Sequence, residues 1–456
     1  MENEALLNII TKLLSENKFS SLKDVLKEMN TVDIATAISD AEPEQQVKIF
    51  RLLPKDSSAD VFSYLDQDTQ ETVIESITNA EIHNIFEDMF IDDAVDFLEE
   101  VPANMVTRVL AQTGKETREL INRFLRYPED SAGSIMTVEM AAFHENMTVD
   151  EAIESLRKTA QDKESIETCY CIDSRRHLLG IIPLRKLIVA KSETVLTDLM
   201  ISDDKVISVN TLDDRETVAQ LVRKYDLLSI PVVDNENRLV GIITIDDIVD
   251  VIQEENTEDF EKMALLLPSE EDYLKTGVFT LTKNRILWLL ILMISATFTG
   301  KIIEGFEDKL AAISGLTACI PMLMDTGGNA GNQVSTLIIR GLALGNIKIK
   351  DYLKVLWKEI RVACICGIIL AAANFGRMLL IRLITGGSTE TPVIIVVCLA
   401  MVCAVILAKI MGCTLPILAK ALHLDPALMA GPMITTIVDA CTLLIYFGIA
   451  SAVLKM

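Results

Sequence analysis

Asp439 is the only charged residue between Pro426 and Leu454, a 29-residue stretch that is otherwise apolar or small. A stretch of that length is long enough to cross a bilayer. A lone carboxylate at bilayer depth costs roughly 2.5–3.5 kcal/mol, so a helix that keeps one turns it toward water, an ion or a partner. Thr435 and Thr436 precede it by about one helical turn. Two hydroxyls and a carboxylate are hard oxygen groups. They suit Mg²⁺, which keeps its waters and binds through few carboxylates. The competing reading is an Asp hydrogen-bonded within a helix bundle. One Asp is a weak divalent site; a two-fold dimer with Asp439 from both chains at its axis doubles the charge.

A second constellation lies between Pro321 and Gln333. Asp325, Asn329 and Gln333 recur every four residues on one helical face, and Gly327, Gly328 and Gly331 fall between them. Pro321 removes an N–H donor and the glycines weaken the turns that follow. The sequence therefore predicts a broken helix lining an ion path. The alternative is a kink with a Gly327-x-x-x-Gly331 packing face.

A third is acidic. Asp246, Asp247, Asp250, Glu254, Glu255, Glu258, Asp259 and Glu261 follow one another with no base among them, and 247, 250, 254, 258 and 261 form one helical stripe. Asp92, Asp93, Asp96, Glu99 and Glu100 make a second face with the same spacing. Like charges so placed repel. Two such surfaces, able to meet only when divalent cations bridge them, make a cation sensor. The plain alternative is a solvated charged surface.

The elements that must position these residues fall into two halves. Residues 281–456 hold 15 Lys and Arg against 9 Asp and Glu, and the residues before them hold 27 against 57. The acidic half excludes nucleic acid as a partner, since phosphate binding needs clustered bases. The N-terminus shows no basic region followed by an apolar core, so no secretory signal is read there. The nine cysteines fit reduced thiols in the cytosol and in membrane helices. The histidines His83, His144, His177 and His423 are scattered and no phosphate-binding loop is present, so no enzyme is expected.

Residues 1–130 read as a small superhelix of helical hairpins with corners near Leu53-Pro54, Asn79-Ala80, Ile91-Asp92 and Val101-Pro102. From Met136 the chain repeats itself. Leu178–Ile188 matches Leu239–Val249, Met200 answers Met136, and Gly180 and Gly241 stand 61 residues apart. Tandem α/β modules are expected at 131–197 and 198–252, and a polar connecting helix at 253–280. A membrane domain over 281–456 is expected to have five spans, near 285–304, 310–340, 362–384, 391–421 and 427–452. Arg340, Lys348, Lys350, Lys354, Lys358 and Arg361 link the second and third spans, which by the positive-inside rule places that linker in the cytoplasm. The acidic half is then inside, and an odd number of spans leaves the C-terminus outside.

Together these residues resemble the MgtE family of magnesium channels. The family's lead-in to its first CBS module resembles Tyr127-Pro128-Glu129-Asp130-Ser131-Ala132-Gly133 followed by Ile135-Met136-Thr137. Its most specific signature is similar to Pro321 through Gly328-Asn329-Ala330-Gly331-Asn332-Gln333, and its last-span motif to Thr435-Thr436-Ile437-Val438-Asp439. The resemblance implies a homodimer in the cell membrane with a pore on its axis, Asp439 holding hydrated Mg²⁺ there. It implies cytosolic regulatory acids at Asp92, Asp96, Asp226, Asp247, Asp250, Glu255, Glu258 and Asp259, with Asp93, Asp246 and Asp425 as weaker candidates. CBS modules that bind adenine nucleotides often carry Thr-x-x-Asp. The second module has it at Thr244 and Asp247, whereas the first has Pro183 and Lys186, which puts ATP binding there in doubt. The expected function is a Mg²⁺ channel closed by cytosolic Mg²⁺; the alternative is exchange of Mg²⁺ for Na⁺ or H⁺.

Overall fold

The computed structural model describes residues 2–269, 273–274, 276–306, 315–385 and 391–454. They form two compact units, Met1–Ile252 and Gln253–Met456.

The first unit opens with short helices running from Glu2–Ser15 to Lys115–Phe124. The expected corners hold. Pro54 leads into a tight turn over Lys55–Ser57, and Thr78 and Glu81 cap Asn79–Asp88 reciprocally, satisfying two helix-end donors. Phe62 is the hub of the core. Its ring meets those of Phe50, Phe86 and Phe97, the last at 5.3 Å and edge-on. Each such contact adds about 0.5–1.5 kcal/mol beyond its burial. They fix helix Ile91–Glu100 against helix Ser58–Ser63, which sets the place of Asp92 and Asp93.

Two α/β modules follow. In the first, β1 (Met140–His144) pairs parallel with β2 (Ser165–Ile172), and β2 pairs antiparallel with β3 (Leu178–Pro183). The second repeats this with β5 (Val209–Asn210), β6 (Ser229–Val233) and β7 (Leu239–Thr244). The internal repeat has a physical reason. The short β4 (Ile201–Ser202) joins the first sheet as a fourth strand by pairing with Gly180 and Ile181, while Thr137 bridges to Ile242 beside Gly241. A Cβ on Gly241 would lie 2.5 Å from the Thr137 carbonyl oxygen and 3.0 Å from Met136 Sδ; Gly180 stands likewise against Ile201 and Met200. Only glycine admits backbone this close. The two sheets also share a buried hydrogen bond between Tyr170 Oη and Ser229 Oγ at 2.7 Å. One apolar core runs from the N-terminal helices into the second module through Phe124, Ala132, Met136, Val232 and Ile248.

The acidic helix is one piece, Ile245–Met263. It begins directly after β7, so the connecting helix expected from Gln253 starts eight residues earlier and ends at Met263 rather than at 280.

In the second unit, helices Val278–Glu304, Leu316–Ala343, Tyr352–Thr385, Thr391–Ala421 and Gly431–Leu454 follow in order. Among the described residues four helical stretches are long and apolar enough to span a membrane: 278–304, 349–384, 391–421 and 426–454. The remaining helix, Leu316–Ala343, corrects the sequence reading. It is not broken: it runs 28 residues with Pro321 inside. Packing overrides the low helix propensity of its glycines. A Cβ on Gly327 would lie 2.9 Å from Thr442 Oγ1, one on Gly328 3.0 Å from Thr435 Cγ2, and one on Gly331 3.3 Å from the Ala408 carbonyl oxygen. The glycines are the surface on which two other helices lie. The expected start of this span, 310–314, falls outside the described residues.

Candidate metal sites and the family

Within the first unit, three elements bring carboxylates together. The Phe62–Phe97 packing presents Asp92 and Asp93 on the first turn of Ile91–Glu100. Asp246 and Asp247 come from the first turn of the acidic helix. Thr244 donates its N–H (3.3 Å) and its hydroxyl (2.8 Å) to Asp247 Oδ2, so the Thr-x-x-Asp pattern here starts a helix and pins Asp247. The third element was not singled out by sequence. Glu164 enters β2 with its N–H donating to the Glu139 carbonyl at 2.8 Å, and its Oε2 is buried with no hydrogen-bond partner.

These acids lift one another. Burial, then Asp247, Asp93 and Glu164, push Asp92 well above the usual carboxylate range. Burial, Asp247 and Asp96 push Asp93 up to about 7, against which a Ser63 hydrogen bond pulls down. Burial, Asp246, Asp247 and Asp93 push Glu164 up to about 7. Asp247 rises to about 6, chiefly by burial and against its Thr244 bond, and Asp250 is pushed up by burial and Asp246. A cluster in which Asp92, Asp93, Glu164 and Asp247 are each penalised when charged stores repulsion that a cation relieves. Among the described residues, no three His, Cys, Asp or Glu side chains are gathered as a ready-made metal cage. A hydrated Mg²⁺ held through one or two carboxylates needs none.

Asp96 adds its charge to that of Asp93 from the same helix. Asp96 is exposed on the helix of Asp92. Asp226 is exposed and ends helix Arg215–Tyr225 in the left-handed region at φ 51°, a conformation that Asp tolerates. Glu255, Glu258 and Asp259 lie half-buried on the acidic helix. Asp425 caps the turn Pro426–Met429 through Ala427 N–H at 2.8 Å. Lys262, which sequence reading passed over, reaches both Glu258 (2.5 Å) and Asp425 (2.8 Å). Burial lowers its affinity for a proton, but the two acids overcome that and push it up to about 12.

In the second unit Asp439 is half-buried on the face of Gly431–Leu454 that meets Gly328; a Cβ there would lie 3.8 Å from Asp439 Oδ1. Thr435 and Thr436 both donate their hydroxyls to the Pro432 carbonyl, at 2.9 and 2.8 Å, leaving oxygen lone pairs as acceptors. Asp325, Asn329 and Gln333 form the exposed polar line the spacing predicts, with Asn329 Nδ2 donating to Asp325 Oδ1 at 3.0 Å. Asp325 stands within electrostatic reach of Asp439. Asn332 serves structure: its Oδ1 accepts from Gly431 N–H at 3.0 Å, and Ser335 donates to the Met429 carbonyl at 2.7 Å. These bonds hold the entry of the Asp439 helix. Sequence reasoning also missed Lys409, buried in Thr391–Ala421 with its ammonium 4.0 Å from Glu359.

Helical and paired α/β modules, an acidic helix and a polar-faced apolar bundle fit one class, the membrane transporter of divalent cations. A family profile described as "Divalent cation transporter" matches residues 320–449, that of the MgtE intracellular N domain matches 29–130, and that of the CBS domain matches 196–254. The magnesium transporter MgtE of Thermus thermophilus is 35% identical over 98% of this chain and 98% of its own length. That of Bacillus subtilis is 30% identical over 99% and 97%. A crystal structure of the cytosolic domain of the Mg²⁺ channel MgtE in complex with ATP is 36% identical. It covers 53% of this chain and 98% of its own, with a TM-score of 0.50. The chain belongs to the MgtE family. It is a transporter and not an enzyme.

Proposed function

We propose that the protein is a homodimeric Mg²⁺ channel of the cell membrane, gated by cytosolic Mg²⁺. Its five long helices span the bilayer, the acidic N-terminal half lies in the cytosol and the C-terminus outside. Hydrated Mg²⁺ passes Asp439 along a path lined by Asp325, Asn329, Gln333 and the oxygens of Thr435 and Thr436. The observation that carries this reading is the placement of Asp439 beside the glycine face of Leu316–Ala343, with a polar line of side chains on the same helix. When cytosolic Mg²⁺ is plentiful it bridges Asp92, Asp93, Asp96, Asp246, Asp247 and Asp250 and holds the closed arrangement. When it is scarce the carboxylates repel and the pore opens. Several ions, each favouring the closed state by about 1–2 kcal/mol, supply the roughly 5.5 kcal/mol that turns a mostly open population mostly closed. Asp226, Glu255 and Asp259 add to the field that concentrates cations. ATP, bound by the cytosolic domain of the relative described above, would meet Asp247 already engaged by Thr244.

The test is Mg²⁺ flux into proteoliposomes. Asp439→Ala lowers flux at least ~10-fold and alters competition by Mn²⁺, Co²⁺ and Ca²⁺, because a membrane-depth carboxylate is the cation's main partner. Unchanged flux and competition remove Asp439 from the path. Coupled exchange has one observation in its favour, the buried Lys409–Glu359 pair. Single-channel currents beyond carrier turnover decide against it.

A further inference from the structure

The last turns of the acidic helix are fastened to the ends of two apolar helices. Arg340, in the last turn of Leu316–Ala343, donates Nη1 to Asn256 Oδ1 at 2.7 Å. Met263 packs on Ile339, Ala427 and Ala430. Its carbonyl oxygen would lie 2.7 Å from a Cβ on Gly431, which sits at φ +45° where glycine is favoured. Between these contacts lies Lys262, bridging Glu258 on its own helix and Asp425 across the gap.

We propose that Lys262 is a built-in cation that takes the place of a divalent ion between Glu258 and Asp425, so that this contact closes without metal. The geometry leaves little room for both. Asp425 uses Oδ1 to cap Ala427 and Oδ2 to meet the ammonium. The Lys262 side chain is 22% exposed and that of Asp425 30%, so the pair is partly shielded from water. A hydrated Mg²⁺ needs carboxylate oxygens and space for its shell. Here it would have to displace an ammonium tethered beside them, whose local concentration does not fall when cytosolic Mg²⁺ does. The foot of the acidic helix is therefore a constant attachment to the turn that leads, through Gly431, into the helix of Asp439. Glu258 and Asp425 drop out of the cation-responsive set. This deepens the proposed function and rests on it for the gating role, but the binding claim stands apart.

Equilibrium Mn²⁺ binding to the purified full-length protein, with free Mn²⁺ read by electron paramagnetic resonance, tests it without any transport. Wild type and Glu258→Gln bind the same number of ions per chain. Lys262→Gln binds one more, and the double variant loses that ion again. Lys262→Arg, which keeps the charge, matches wild type. Should Lys262→Gln fail to fold, Asp425→Asn, which retains a capping oxygen, also leaves the wild-type count unchanged. Loss of an ion in Glu258→Gln or Asp425→Asn overturns the proposal. So does a wild-type count in a folded Lys262→Gln, or a gain in Lys262→Arg. A failed flux assay beside the expected counts would indict the channel reading alone.

Discussion

Glu164→Gln is the sharpest probe of the acidic junction. The Glu164 carboxyl is raised from 4.5 to about 7 by burial and by Asp246, Asp247 and Asp93. One pKa unit corresponds to about 1.36 kcal/mol, so its charged form carries at most ~3 kcal/mol of penalty at pH 8. The side chain is half-buried, and solvent screening reduces this to ~1 kcal/mol. The sign follows from proton uptake. The folded pKa lies above the unfolded one, so the folded junction binds protons that the unfolded chain releases. The penalty is absent below about pH 4.5, grows through the window and is complete above about pH 7. Glutamine removes the charge and keeps the shape. In metal-free buffer at pH 8, the first melting transition of the full-length variant should rise by ~2–4 °C, the shift expected of ~1 kcal/mol in a unit of this size. By pH 5 the difference should shrink to under ~1 °C. Scanning calorimetry with EDTA reads both. An equal or lower midpoint for the variant at pH 8 would refute the argument that the junction stores repulsion.

The same sign predicts that lowering cytosolic pH from 8 to 6 reduces the Mg²⁺ needed for closure, as Asp93 and Glu164, at about 7, and Asp247, at about 6, take up protons. Vesicle flux at fixed internal pH measures it, and a higher Mg²⁺ requirement at pH 6 would mean that protons compete with ligands instead. Gly412→Ala should cost about 1–3 kcal/mol through overpacking, because its Cβ would meet the backbone carbonyl of Gly331. The readout is the detergent melting point, and an unchanged value contradicts the close helix crossing.

What sequence made legible were the features that repeat or run along one element. Gly180 and Gly241 mark the tandem modules because each must admit a neighbour's backbone. The line of Asp325, Asn329 and Gln333 keeps its spacing on a real helix face. What sequence hid were pairings across the chain. Glu164 joins Asp93 and Asp247 only after β2 and two helices have packed. Lys262 meets Asp425 across more than 160 residues. Lys409 sits in an apolar run with no local hint of Glu359.

The continuity of Leu316–Ala343 changes the chemistry of the proposed path. In a broken segment, freed carbonyl oxygens can replace an ion's waters. In a continuous Leu316–Ala343 helix those carbonyls are spent on the bonds of its turns. Glycine faces at 327, 328 and 331 let the Asp439 helix and Thr391–Ala421 lie close, so the residues that weaken the helix in isolation are those that hold it in the bundle. From Pro321 to Gln333 only side chains are then left to face an ion. Carboxylates, carboxamides and hydroxyls on facing helices hydrogen-bond well to water, and Mg²⁺ gives up its water reluctantly. An unbroken helix therefore supports the proposed passage of Mg²⁺ with its hydration shell intact.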